Sequence, residues 1–300
     1  MVRARTVETH TIGQGIVAVS AIRRIDRIFH PSDFSEGSEV AFAHALKLAL
    51  VAEAELAVLH VSEDKDVAWT EFPRVRAMLE RWHVLPPNSP REAVPAIGIE
   101  VRKVVTKGSD PVRAAEHFLQ GYQTDLVVLA AHTQQGRMHW IRHSMSQPIA
   151  EAAAAATLFL PYGSEGFISR EDGSVSLRSV LLPIDSSPSP EPAVEAARRL
   201  TWALQCPEVT FTLLHVGGAG EAPAVPLEEH DDWTWRKVTR EGDVVDTILA
   251  VADETAADLV VMATAGRHGF LDALRGSTTE RVLRKGVRPV LAIPAGAREA

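Results

Sequence analysis

The sequence predicts an α/β protein built from two tandem domains, each a five-stranded parallel sheet covered by helices. Three observations carry this. A stretch recurs at constant offset: residues 125–161 read DLVVLAAHTQQGRMHWIRHSMSQPIAEAAAAATLFLP and residues 258–294 read DLVVMATAGRHGFLDALRGSTTERVLRKGVRPVLAIP. Asp125 and Asp258, Gly136 and Gly269, Ser144 and Ser277, and Pro161 and Pro294 are each 133 positions apart. A fixed offset through strand, loop, helix and strand marks an internal duplication. Apolar runs also alternate with helical patterns in both halves, which implies parallel strands with helices on both faces of the sheet. Finally, 300 residues are enough for two ordinary domains, each with its own core.

Residues 1–22 fit no repeat and read as an N-terminal arm. The first domain then spans 23–161. IDRIF (25–29) is a short apolar run ending in HPSDFS, which predicts a buried strand and its exit loop. A helix follows from Ser35 or Ser38, with Val40, Ala43, Leu46, Leu50 and Val51 mostly at helical spacing. ELAVLHV (55–61) is a second buried strand. TEFPRVRAMLERW predicts a polar helix before the Pro-rich loop PPNSPREAVP. IEVRKVV (99–105) alternates as a strand does, and Asp110-Pro111 is a cap followed by a first-turn proline. TDLVVLAA and ATLFLP are the fourth and fifth strands.

Residues 162–176 are a polar, Gly/Ser-rich linker in which EDG, flanked by FIS and SVS, predicts a hairpin. The second domain, 177–295, repeats the order of the first. LRSVLLPID is a strand, SPEPAVEAARRLTWAL a helix, and VTFTLLHV and WTWRKVTREGD two strands with an exit loop. VVDTILAVADETA is a helix, DLVVMATA a strand, RGSTTERVLRKG a helix and RPVLAIP the last strand.

Composition narrows the function. A net charge of −8 argues against nonspecific binding to nucleic acid or to an anionic membrane. No apolar run approaches the roughly 20 residues of a membrane span. GIVAVSAI runs straight into Arg23 and Arg24, so no signal peptide is read there. Cys206 is the single cysteine, which fits a reducing cytoplasm.

The second repeat carries the pattern best suited to holding phosphate. Its fourth strand exits into Gly266-Arg267-His268-Gly269, then six residues, then Gly276-Ser277-Thr278-Thr279 at the start of a helix. Glycines let backbone N–H groups come close to an anion, and a helix N-terminus supplies free donors and a favourable dipole. Ser277 and Thr278 add hydroxyls. The bland reading is a glycine-shaped turn and a serine cap, and short glycine patterns alone do not separate the two. Neither a Walker A loop nor a Gly-x-Gly-x-x-Gly fingerprint is present. In open α/β sheets the ligand crevice lies at the carboxyl ends of the strands where the strand order reverses. Asp185 and the loop after MATA would both reach it.

These pieces, LLPIDSS, LLHV, DLVVMATAGRHG and GSTTERVLRKGVRPVLAIP, resemble the universal stress protein family. The resemblance covers about Ile25 to Pro161 and Leu177 to Pro294, so the chain resembles a tandem member. It implies a Rossmann-like α/β fold with strand order 3-2-1-4-5 in each domain. It also implies that ATLFLP and RPVLAIP pair antiparallel across an internal pseudo-twofold, an intrachain pseudo-dimer that could pair again as a homodimer. In ATP-binding members of the family a Gly-x-x-Gly loop and a later Gly-Ser/Thr hold ribose and phosphates. By resemblance Gly266, Gly269, Gly276, Ser277 and Thr278 would do so here, Asp185 would contact the adenosine portion, and the Val216 backbone would meet the adenine. ATP would be the ligand, with Mg²⁺ accompanying its phosphates. The six-residue spacer is shorter than the family's.

The first repeat is a degenerate copy. Asp33 matches Asp185 and Val61 matches Val216, but Gly266 becomes Thr133 and Gly276 becomes His143, leaving Gly136 and Ser144. Pro148 falls near the start of the expected helix. This copy is expected to bind nucleotide weakly or not at all.

Other candidates weigh less. His139 and His143 have i,i+4 spacing next to His132, but no carboxylate or thiolate joins them locally, and no metal site is expected. His60 and His215 end matching strands and read as structural, bonding across the crevice mouth. Glu228-Glu229-His230-Asp231-Asp232 reads as a solvated acidic loop before a cation site. Arg267 or His268 could face phosphate. No Gly-x-Ser-x-Gly elbow occurs at a strand exit, and no catalytic residue is assigned. The expectation is a cytoplasmic stress-response protein that binds an adenine nucleotide in its second domain, with slow or negligible hydrolysis. The alternatives are a nucleotide-free scaffold or binder of another small ligand and, less favoured, an adenylating enzyme.

Overall fold

In the computed structural model the described residues are 25–63, 71–131, 149, 153, 155–218, 220–264 and 277–294. Short buried apolar runs form the strands of the first half, β1 (Arg27–Pro31), β2 (Glu55–Ser62), β3 (Glu100–Lys107), β4 (Leu126–Ala131) and β5 (Ala156–Pro161). Between them lie helices α1 (Glu36–Ala52), α2 (Val75–Arg81), α3 (Ala93–Ala96) and α4 (Pro111–Gly121). The second half repeats the order with β6 (Ser179–Pro183), α5 (Glu191–Ala203), β7 (Val209–Val216), β8 (Trp233–Arg240), α6 (Val244–Glu254), β9 (Leu259–Thr264), α7 (Thr278–Lys285) and β10 (Val290–Pro294). The expected caps are in place: Ser35 Oγ accepts Ser38 N at 3.2 Å, and Asp110 Oδ1 accepts Arg113 N at 3.1 Å. The short α3 lies inside the stretch read as a Pro-rich loop.

All ten strands form one sheet in the order β3-β2-β1-β4-β5-β10-β9-β6-β7-β8. The first five give the order 3-2-1-4-5, and the last five give the same order mirrored. Pairing is parallel within each half and antiparallel only between β5 and β10, where Phe159, Leu158 and Thr157 face Val290, Leu291 and Ala292. The antiparallel pairing inferred from the resemblance is therefore found. It removes two edges that would otherwise offer unpaired backbone groups. Because the halves run in opposite directions, their strand-end crevices open at opposite edges of the sheet.

The duplication is visible bond by bond. Asp125 Oδ2 accepts the N–H groups of Asp26 and Arg27, each at 3.0 Å. Asp258 Oδ2 accepts those of Arg178 and Ser179 at 2.8 and 2.9 Å. In each half this carboxylate ties the start of the fourth strand to the start of the first. Among the described residues three apolar clusters cover the sheet. One lines the α1 and α5 face continuously through both halves, from Leu46, Leu56 and Leu79 to Val180, Phe211 and Val261. The opposite face carries separate clusters, one under α4 and one under α6 and α7. Leu283 of α7 touches both, so α7 straddles the junction.

The linker is ordered as the hairpin expected around EDG. Ser169 N donates to Ser174 O at 3.0 Å, and Ile168 bridges Val175 in antiparallel fashion. Phe167, Ile168 and Leu177 enter the continuous core.

Candidate functional site

Each half ends β1-type and β2-type strands at a crevice, and parallel-ladder geometry sets what faces it. In the second half Ile184 N donates to Leu214 O at 2.8 Å. Backbone groups alternate sides along a strand, so Val216, two residues on, turns its N–H and C=O the same way. By then β6 has ended at Pro183. Gly217 N, by contrast, donates to Arg240 O of β8 at 2.9 Å, which fixes the alternation. The first half matches: Ser32 N donates to Leu59 O at 2.8 Å, and Val61 is the residue two further on.

Asp33 and Asp185 both stand exposed just past the first strand of their halves. Asp33 Oδ1 accepts Ser35 N at 3.0 Å and Ser35 Oγ at 2.6 Å. Asp185 Oδ1 accepts Ser186 N at 2.7 Å. A carboxylate has about four acceptor positions, so each keeps capacity for another donor.

The histidines before the two valines bond as expected across the crevice mouth. His60 Nδ1 is 2.8 Å from Ser32 O, and His215 Nδ1 is 3.3 Å from Ile184 O. Their surroundings then diverge. Phe34, at φ +60°, stacks on the His60 ring at 3.9 Å and 13°, and Phe72 meets Phe34 edge-on at 5.1 Å. These three rings pack together beside Asp33 at the carboxyl ends of β1 and β2. In the second half the residue matching Phe34 is Ser186, which is exposed. His215 Nε2 is buried and meets no hydrogen-bond partner among the described residues. Phe34 is not among the residues that the sequence motifs single out. Its aromatic side chain beside Asp33, where the second repeat has serine, was the signal available.

At the start of α7, Ser277 is the cap, its Oγ accepting Glu280 N at 3.1 Å. Thr278 is the first residue of that helix. The bond to Glu280 uses a lone pair of Ser277 and leaves its O–H free to donate. Gly266, Gly269, Gly276, Arg267 and His268 lie outside the described residues, as do Gly136, Ser144, Pro148, His132, His139 and His143.

Among the described residues no three His, Cys, Asp or Glu side chains converge to hold a metal ion. In the acidic run, Glu228 pairs with Arg198 and its carbonyl accepts Trp235 Nε1–H at 3.0 Å. Burial pushes the Cys206 thiol up to about 11, far from a reactive thiolate. No described helix is long and apolar enough to cross a membrane.

Two parallel five-stranded units of order 3-2-1-4-5, each with a crevice at its strand ends, define an α/β protein of the doubly wound, Rossmann-like class. The model of the universal stress protein family matches residues 24–161 and 224–294. The chain belongs to that family. Asp33 and Val61 fall inside the matched segments and so do Ser277 and Thr278, while Asp185 and Val216 fall between them. Among solved structures the chain is similar to a universal stress protein from Archaeoglobus fulgidus DSM 4304, at 19% identity and TM-score 0.57, covering 90% of this chain and 98% of that one. It is similar to a putative universal stress protein from Pseudomonas aeruginosa UCBPP-PA14, at 13% identity and TM-score 0.55, covering 90% and 93%. The cytoplasmic domain of a prokaryotic cation chloride cotransporter is also similar, at 11% identity and TM-score 0.50, covering 93% and 98%. At these identities the likeness shows the fold. No curated protein matches the chain.

Proposed function

We propose that the chain is a stress-response protein of the cytoplasm that binds one adenine nucleotide, ATP in the first instance, in the crevice of its second half. One observation carries the asymmetry. Phe34, His60 and Phe72 stack together beside Asp33 in the first half, whereas the exposed Ser186 stands in the second where Phe34 stands in the first. The sequence contrast between Gly266 and Thr133, and between Gly276 and His143, points the same way. In this reading Asp185 and the Val216 backbone take the adenosine portion, and the glycine loop with Ser277 and Thr278 takes the phosphates. Mg²⁺ would arrive with the phosphates. No residue is assigned as base or nucleophile, so occupancy acts as a signal and turnover is slow or negligible.

Calorimetric titration of nucleotide-stripped protein with ATP and Mg²⁺ tests this, with Gly276→Trp and Phe34→Ser run alongside. One ATP per chain is expected, lost in Gly276→Trp and unchanged in stoichiometry in Phe34→Ser. Two ATP per chain would show that the first half also binds. No heat and no thermal stabilisation at millimolar ATP would favour a nucleotide-free scaffold. The chain's commitment of Ser277 Oγ to a cap and of Asp185 Oδ1 to Ser186 N is the observation that keeps this second reading in play.

A further inference from the structure

The linker that joins the halves is held to the first half by an uncharged histidine. His44, on α1, has no exposed surface. Its Nδ1 is 2.8 Å from Val40 O, and a carbonyl only accepts, so Nδ1 carries a proton. Its Nε2 accepts the N–H groups of Phe167 and Ile168 at 3.0 and 3.1 Å, so Nε2 carries a lone pair. Both assignments require the same neutral tautomer. Phe167 meets the ring edge-on at 4.7 Å and 86°. Gly166 lies so close to the ring that a Cβ there would collide with Cε1 and Nε2 of His44.

We propose that His44 is a proton-operated latch: neutral, it fastens the linker to the first half, and a proton on Nε2 releases it. A proton on Nε2 removes the only lone pair on the ring that can accept, and it sets an N–H against two N–H groups. It also buries a charge with nothing nearby to balance it. On α1 itself the nearest charged side chains are Glu36 and Glu39 at one end and Lys47 at the other. From the linker come Tyr162, Glu165, Arg170, Glu171 and Asp172, and from β2 come Glu55 and His60. Arg170 is already shared among Glu36, Glu39 and Glu165 at 3.3 to 3.7 Å. From β1 comes His30, itself buried and bonded to Val128 O. β4 and β5 present no titratable side chain to α1. Burial therefore dominates, partly offset by the bond to Val40, and pulls the His44 imidazole from 6.5 down to about 4.

Released from the latch, the same imidazole would titrate near its ordinary value. The ratio of released to latched linker then rises about 30-fold between pH 8 and pH 5, and levels off about 300-fold up at lower pH. Phe167, Ile168 and Leu177 belong to the core shared by both halves. Release of the linker therefore opens the face along which the halves are joined.

Hydrogen–deuterium exchange on the full chain tests the latch. Amide rates of Phe167 and Ile168, each divided by the intrinsic rate at that pH, are compared at pH 8 and pH 5 with those of Leu56 and Val58 in β2. Protection of the linker amides is expected to fall about 30-fold, by a local opening that leaves β2 far better protected than the linker at both pH values. In His44→Gln, whose Oε1 accepts but does not titrate, the linker amides should lose less than about 3-fold. A wild-type linker that keeps its protection at pH 5, is as well protected there as β2, or behaves identically in His44→Gln overturns the proposal. Should His44→Gln fail to fold, an NMR titration of the wild type decides. The His44 ring and the two amides are expected to shift with one midpoint, and separate midpoints overturn the latch.

Discussion

Replacing Gly173 by alanine tests the docking of the linker hairpin on the first half. Gly173 has φ +69°, and a Cβ built there lies 2.6 to 2.9 Å from three atoms of the Trp82 indole. That ring cannot swing away cheaply. It is 6% exposed, and its Nε1–H donates to Arg170 O at 3.1 Å, so retreat breaks a bond made by the same hairpin. Two costs therefore add. An L-residue in the left-handed region costs about 1–2 kcal/mol. Forcing a methyl into a packed site costs about 1–3 kcal/mol more. Lower entropy of the unfolded chain returns about 0.4–1 kcal/mol. The net expectation is a loss of about 3 kcal/mol. Gly163 is the internal control, because its φ is +83° but a Cβ there meets nothing within 4 Å. Gly163→Ala should cost only about 1 kcal/mol. Urea unfolding of both variants at pH 7.5 measures the difference. If the two lose stability equally, Trp82 is not the wall described here and the hairpin is not docked on it.

Acidification should destabilise the fold through His30 and His44, each fully buried, bonded to a carbonyl, and lowered from 6.5 to about 4 mainly by burial. The unfolded chain takes up these protons first, so the stability they confer is complete above pH 6.5, falls as pH drops toward 4, and amounts to about 2 kcal/mol lost per histidine at pH 5. Urea midpoints at pH 7.5 and 5.0 check it, and a flat profile over that range contradicts the neutral assignments. Asp125→Ala and Asp258→Ala each remove a carboxylate that accepts two backbone N–H groups, and each should cost about 2 kcal/mol. Very unequal losses would argue that the two halves are not built on one plan. Ser277→Ala should cost about 1 kcal/mol as a lost cap. Ser277→Asp should keep the cap and stability yet weaken ATP binding by placing a negative charge beside the phosphates, and unchanged affinity in Ser277→Asp would remove Ser277 from the phosphate site.

The sheet was legible because its determinants are local and repeated. Four to eight apolar residues bounded by turn residues specify each buried strand, while the order 3-2-1-4-5 came from the resemblance to the family. The linker hairpin was legible for the same reason: Asp172-Gly173 carries its own turn chemistry, with Asp172 Oδ1 accepting Ser174 N at 3.0 Å. Its docking was not legible. His44 reads in sequence as one more residue of a helix, and its partners lie 123 and 124 positions away. Phe34 was hidden too, since a phenylalanine at φ +60° defies local preference and is held by rings from two other segments. At the candidate site, sequence located Asp185 and Val216 at strand ends and Ser277 at a helix start. The glycines that would hold phosphate lie outside the described residues, so their role rests on the pattern and the resemblance.

The divergence of the two loops makes sense once the forces holding the halves are separated from the crevices. The halves meet through β5 and β10, through the core shared by α1 and α5, and through the linker. Among the described residues none of these uses Asp33, Val61, Asp185 or Val216, which the antiparallel junction places at opposite edges of the sheet. The Asp125 and Asp258 clamps likewise sit at the starts of strands, away from the crevices. In sequence the first copy has Thr133 and His143 where the second has Gly266 and Gly276, and Phe34 where the second has Ser186. The same residues in the second copy would remove the groups proposed to hold nucleotide. Joining two copies in one chain frees one of them to become the partner surface on which the other is built, and the linker contacts at His44 and Trp82 lie on that partner, the first half.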